Sequence, residues 1–404
     1  MKYFPETKEE LKTLCDDESI HLGDIDTSKI TDMSYLFVDS TRKDFSGIEN
    51  WDVSKVENMA VMFAEAVYFN QPIGSWDVSN VTNMQDMFEH AAAFNQPIGD
   101  WDVFNVTNMR GMFADTETFN QPIGNWDVSN VTDMCSMFAG AERFNQDISK
   151  WDVSQVKNMH GMFKKAKAFN QPIDDWDVSN VTNMSVMFAE AEAFNQPVGD
   201  WNVSNVQNMS FMFSDVKGFN QPIDDWDVSN VKYMIGMFNH ATSFNQPIGN
   251  WDVSNIITME SMFAFATLFN QDISNWDVSN VENMMAMFTG AERFNQDISG
   301  WNVSKVKNMH GMFKNAKAFN QPIGDWDVSN VTNMSIMFKC ADSFNQILPE
   351  AWAKKAVYKN PEKINLDKLC SSIISVFNKA GVNREDLEKA FNTALQNSRD
   401  VMLK

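Results

Sequence analysis

In FNQPIDDWDVSNVTNMSVMF, residues 169–188, the carboxylates of Asp174, Asp175 and Asp177 surround Trp176 and precede a run of hydroxyls and amides. Carboxylates this close are the residue types of general acid/base chemistry or of hard-cation binding. The first use sits badly with how often the motif returns, because nearly the same words occur twelve times at one fixed interval and a catalytic site is rarely printed so often. The aspartate after each tryptophan recurs from Asp52 to Asp327, with Asn202 and Asn302 as the exceptions. Stacked carboxylates repel by roughly 1 kcal/mol per neighbouring pair even at water's dielectric, so something must compensate. Calcium along the Asp ladder would do so, and so would an Asx-turn in which each carboxylate accepts backbone N–H bonds ahead of a helix. The turn is favoured, since it accepts asparagine in two coils more readily than a metal site does and the glycine-rich calcium signature is absent. No cofactor or metal is expected.

Other candidate chemistry reduces in the same way. His160 and His310 are copies of one position, as are His90 and His240, so no histidine stands in a unique setting beside a nucleophile. Cys15, Cys135, Cys340 and Cys370 have no paired spacing and read as free thiols. No phosphate loop, nucleophile elbow or metal-ligand pair appears, and no catalytic residue is expected. The Asn-Gln pair that begins at Asn70-Gln71 has a copy in every repeat. It is either an internal amide ladder or a flat hydrogen-bonding strip for glycan or protein, with Gln71, Gln96, Gln121, Gln171 and Gln196 as binding candidates. Positions that drift between repeats, such as Gln85, Arg110, His160, Ser210 and Glu260, could draw a partner-specific surface, and Phe211 and Phe265 are the apolar anchor candidates on it.

What must position these residues is a repeat of 25. Tryptophan stands at Trp51 and every twenty-fifth residue through Trp326, and complete sets follow from Phe69 to Phe344, Val53 to Val328, Met59 to Met334, Met62 to Met337 and Phe63 to Phe338. A period of this length signals a solenoid, in which no unit buries its apolar face alone. Val56, Met59, Met62, Phe63 and Ala66 have helical spacing, which predicts a helix over about 57–66 with Ser54 as a candidate N-cap. In FNQPIGSWDV the inward candidates are Ile73, Trp76 and Val78, which predicts a strand of three to five residues stacked in parallel on its neighbours. Each buried tryptophan contributes about 5 kcal/mol of gross transfer free energy. The methionines, 24 of 28 in two repeat positions, read as packing.

The expected organisation is an N-terminal helical cap over 1–24, a solenoid of about thirteen repeats over 25–350 with a worn first coil, and a C-terminal helical hairpin over 351–404. Thr7 and Glu10 make the capping box of a short helix through Leu11 and Leu14. The net charge is −22; residues 351–404 carry ten Lys/Arg against six Asp/Glu, which leaves −26 on the first 350. Such a field repels phosphate backbones and anionic lipid, so neither nucleic acid nor membrane insertion is expected.

The tandem FNQPIGNWDVSNVTNMxxMFxxAxx resembles the bacterial repeat of about 25 residues found in BspA-like leucine-rich-repeat surface proteins, over residues 25–350. The resemblance implies a leucine-rich-repeat-like α/β solenoid, displayed at the cell surface or extracellular and associated with adhesion to host proteins or other cells, with no catalytic residues. Leucine itself is nearly absent from the coils, and no signal peptide, lipobox or sorting motif is read at the start or end. The expectation is therefore a non-enzymatic protein- or glycan-binding protein. A cytoplasmic scaffold that uses its C-terminal helices to recruit a partner or self-associate is the alternative.

Overall fold

The computed structural model describes residues 1–349 and 352. The chain divides into two units, Met1–Val357 and Tyr358–Lys404, and the hairpin expected over 351–404 lies outside the described residues apart from Trp352. The predicted N-terminal helix is present, with Thr7 as its N-cap. α1 spans Lys8–Asp16, with the Thr7 hydroxyl accepting from Glu10 N–H, while the Glu10 carboxylate takes the N–H of Glu6. Leu11 and Cys15 of α1 are buried in the same core as the coils.

The coils stack as a solenoid, but not from the predicted elements. Between residues 25 and 349 there is no α-helix, and no strand longer than a single parallel bridge per coil, from Asp32↔Asn58 to Asn308↔Asn333. The stretch read as a helix is instead a chain of tight turns whose N–H groups alternate in direction. Those of Met59, Val61, Phe63 and Glu65 donate to the carbonyls of Asn83, Gln85, Met87 and Glu89 in the next coil. Those of Met62, Ala64 and Ala66 turn back to the carbonyls of Met59, Val61 and Phe63, and Ala60 donates to the Asn58 side chain. Every polar backbone group from Met59 to Ala64 is thus paired, half of them across the coil boundary, as burial demands.

Three-residue turns explain why the apolar spacing looked helical: Met59, Met62, Phe63 and Ala66 point inward from successive turns and are fully buried. A helix is ruled out by two residues per coil with positive φ, Val61 (60°) and Glu65 (59°) in this coil, which close turns of the type II pattern. The signal was present in the sequence, since these two positions hold glycine at Gly111, Gly140, Gly161, Gly236, Gly290 and Gly311, the residue that adopts positive φ without strain.

The FNQPIGSWDV side also differs from expectation. Ile73, Trp76 and Val78 are buried as predicted, but the parallel pairing lies on the opposite side of the coil. Pro72 can donate no ladder bond, and here side chains join the coils. The indole N–H of Trp76 donates to Ile48 O, and that of Trp101 to Ile73 O, one coil back. Equivalent rings form columns: Trp101 and Trp126 stack at 6.5 Å and 3°, and Phe63 and Phe88 at 5.7 Å and 3°. Trp352 takes the rung above Trp326 at 6.4 Å.

Because these rings are near-parallel copies, centroid separations measure how far one coil is displaced from the next. The displacement is 5.7 Å in the Phe88–Phe113 column, 6.0 Å for Phe94–Phe119 and 6.5 Å for Trp101–Trp126, against about 4.8 Å between hydrogen-bonded backbones. The ring columns are therefore spaced more widely than a hydrogen-bonded ladder, most of all at tryptophan. Among the described residues no helix is long and apolar enough to cross a membrane.

Candidate functional site

Between the buried Met59, Met62, Phe63 and Ala66 each coil carries four variable positions, equivalent to residues 60, 61, 64 and 65, which reach solvent where the side chain is large, as at Arg110, His160, Phe211 and Phe265, and are buried where it is small, as at Ala60, Ala64, Ser185 and Ser210. The N–H groups of the 61- and 65-type positions donate to the next coil whatever the side chain, so chemistry can change from coil to coil within the limits that positive φ and neighbouring side chains set. Gln85, Arg110, His160, Ser210 and Glu260 occupy one of these columns, Phe211 the second and Phe265 the fourth. The structure therefore brings the variable positions and both aromatic candidates onto the one ladder side of the coils, with Ser210 buried there. Phe211 and Phe265 have φ of 57° and 59°, a conformation that bulky residues rarely adopt.

Each of these rings lies over a glycine of the next coil. A Cβ on Gly236 would stand 2.4 Å from Phe211 Cε1, and one on Gly290 2.5 Å from Phe265 Cδ1. Valine itself is accepted at the Gly236 position, as Val186 with φ of 61° one coil after Gly161 shows. Gly236→Val should therefore cost about 1–3 kcal/mol through overpacking against Phe211, and Phe211→Gly in the same chain should recover most of it. A double-mutant cycle in urea measures this, and purely additive losses would refute the ring-over-glycine contact.

The polar groups of the face are arranged along the stack. His90 lies between Glu65 (3.6 Å) and Asp115 (3.5 Å), one coil to either side. Glu89 beside them is half-buried, and burial, with Asp86 next, raises its carboxyl above the ordinary value. His160 Nδ1 lies 2.7 Å from the Ser185 hydroxyl, and the pair recurs as His310 and Ser335 at 2.6 Å. This arrangement escaped the sequence reading, although histidine followed 25 residues later by serine was its signal. The Ser185 hydroxyl also donates to Asn183 Oδ1 at 2.7 Å, which directs its proton away from the imidazole. Burial, with Arg110 second, holds His160 below its ordinary value, which favours the neutral ring.

The other two predicted sites lie elsewhere on the coil. Gln96, Gln121, Gln171 and Gln196 donate their Nε2 to the backbone and side-chain oxygens of Asn70, Asn95, Asn145 and Asn170 one coil back. Gln71, partly buried, opens this column. Asp177 Oδ1 accepts from Ser179 N–H, and Asp52 Oδ1 accepts from both the N–H and the hydroxyl of Ser54. The Asx-turn is thus present, though no helix follows it and Ser54 caps none. Asn202 Oδ1 accepts the same two bonds from Ser204, which explains the amide in two coils. Among the described residues no three His, Cys, Asp or Glu side chains converge to hold a metal ion.

Serine donors, side chain first and backbone second, hold the Asp52, Asp177, Asp227 and Asp277 carboxyls below their ordinary value of 3.8. The folded array binds these protons less readily than the unfolded chain. Their contribution is whole above the ordinary carboxylate range and is lost as pH falls through the depressed folded values. Asp177→Asn should leave stability at pH 7 near that of the parent and flatten its fall as pH drops from the ordinary value of 3.8 through the depressed folded one. Urea midpoints across that range check it, and an unchanged slope would count against the turn as the source.

Twelve near-identical coils joined by a backbone ladder, an amide column and an aromatic core define a tandem-repeat solenoid. The family model described as "Mycoplasma protein of unknown function, DUF285" matches residues 9–121, 97–195, 171–270 and 246–352, and the chain belongs to that family. No curated protein matches it. Among solved structures it is similar to a TLR13–ssRNA13 complex, at 10% identity over 81% of this chain and 45% of that chain, with a TM-score of 0.22. It is also similar to a leucine-rich-repeat protein of Leptospira interrogans, at 6% identity over 83% and 94% of the two chains, with a TM-score of 0.20. The chain thus spans less than half the length of the first of these.

Proposed function

We propose that this chain is a non-enzymatic binding protein of adhesin type, which presents the ladder face to a protein or glycan at the cell surface. One observation carries the reading: the ladder backbone is internally satisfied from coil to coil, while the side chains it turns outward differ between coils and include Arg110, His160, Phe211, Glu260 and Phe265. A scaffold of fixed core and free outward positions is how repeat arrays build extended binding surfaces. The glutamine column is a second strip in this proposal, where a ligand would meet the amide atoms left over from the bonds to the preceding coil. No cofactor is assigned, and a chelator should leave the melting midpoint where it is.

Protease treatment of intact cells, paired with capture by the purified chain, tests the proposal. Cleavage at the surface, with capture weakened by Arg110→Glu, His160→Asp and Glu260→Arg together, is the expected result. A wholly cytosolic pool would overturn surface display in favour of an internal scaffold. Capture that ignores the three substitutions would remove the ladder face from the binding role.

A further inference from the structure

We infer that the ladder face between residues 185 and 290 is a docking strip for a basic, apolar-bearing polypeptide segment; this rests on the reading of the ladder as the binding face. Over these five coils the outward columns hold Val186, Phe211, Ile235, Phe265 and Met285 as their apolar members and Glu190, Asp215 and Glu260 as their charged ones, without a single lysine or arginine. Lysines resume on both sides, at Lys164 and Lys165 before the strip and at Lys314 and Lys339 after it. The sign of charge therefore changes at the borders of the apolar stretch. A partner with a continuous basic edge would be rejected beyond them and accepted between them.

The aromatic members are fixed in advance of any ligand. Phe265 is 38% exposed, stacks on His240 at 4.5 Å and 15°, and crosses Gly290 on its other side. Phe211 crosses Gly236 in the same manner. A ring supported by glycine backbone loses little freedom on binding, which is what makes a large aromatic an effective anchor. The carboxylates are held in place by neighbours. Glu260 accepts from Asn283 Nδ2 at 2.7 Å, Asp215 accepts from the Ser214 hydroxyl at 3.1 Å and faces His240 at 3.9 Å, and Glu190 stands 4.0 Å from Lys165. Aromatic platforms sharing their columns with carboxylates, in an array of strongly negative charge, complement a segment that alternates lysine or arginine with leucine-like side chains. Five coils at roughly 4.8 Å span about 20 Å, the length of about 14 helical residues.

The test uses the full chain and two synthetic helical peptides of about 14 residues, one of leucine and lysine and one of leucine and glutamate, titrated by fluorescence anisotropy. The leucine–lysine peptide should bind at least about tenfold more tightly than the leucine–glutamate peptide. Phe211→Ser with Phe265→Ser should cost about tenfold or more, and Glu190→Gln with Asp215→Asn and Glu260→Gln should flatten the salt dependence. Melting of each variant verifies the fold, and Lys314→Ser with Lys339→Ser, outside the strip, should not weaken binding. If both peptides bind equally and both depend on the phenylalanines, the basic partner is refuted while the ladder remains a binding face. If the leucine–lysine peptide binds with no dependence on the phenylalanines, its attraction is to bulk charge and the inference falls; the capture experiment then decides the ladder's role separately.

Discussion

Trp176→Ala is expected to destabilise the array by about 4 kcal/mol and to split its unfolding into two transitions. Trp176 is 3% exposed, packs 6.2 Å from Phe163, and donates its indole N–H to Ile148 O at 3.2 Å. Alanine would leave a cavity the width of an indole in a column whose rungs are fixed from both sides. The neighbouring coils cannot close in, because their ladder bonds set the spacing. Loss of the hydrogen bond is the smaller part, since Ile148 O also accepts the backbone N–H of Trp151. Trp176→Phe, which keeps most of the volume and removes the donor, should therefore cost only about 1–2 kcal/mol. In a solenoid each coil is stabilised by its neighbours, so a weak interface near the middle uncouples the two halves. Urea unfolding followed by hydrogen exchange measures both effects. A single unshifted transition in the alanine variant would refute the aromatic column as the source of cooperativity.

That column was legible in the sequence, and the path of the backbone between its rungs was not. Tryptophan, phenylalanine and methionine at one unbroken period can only be a shared core, and the inward residues Ile73, Trp76, Val78, Met59, Met62, Phe63 and Ala66 are all buried. Spacings of three and four, however, fit a helix and a run of three-residue turns equally well. What separates them is the destination of alternate N–H groups, and that depends on a neighbouring coil rather than on local sequence. Glycines at Gly111 and Gly161, set against Val61 and Val186 in the same column, were the one local hint of positive φ. The ladder face was half legible. Drift between coils marked its positions, but placing Phe211 and Phe265 on one side of the coils, each backed by a glycine, required the turns themselves.

The junction of α1 with the first coil holds a residue that periodicity could not reveal, because it occurs once. Arg42 is 4% exposed, and its guanidinium donates to four carbonyls: Cys15 and Asp17 at 3.1 and 2.9 Å, and Ile20 and Asp44 at 3.3 Å each. Cys15 O and Asp17 O belong to the C-terminal end of α1, where the last carbonyls lack helical partners and the dipole favours a cation. A planar fork of donors serves several such acceptors at once, which a lysine ammonium does not do as well. Arg42→Met retains the buried stem and withdraws every donor, so these carbonyls lose their charged partner inside a dry cap. The expected cost is about 3 kcal/mol, with Arg42→Lys falling between the two. Since α1 covers the first coil with Leu11 and Cys15, its release should expose the N-terminal end of the core and leave later coils intact. Hydrogen exchange should then show lost protection confined to α1 and the coil before Trp51. A variant that melts with its parent and keeps α1 protected would mean that the helix is held by its apolar contacts alone.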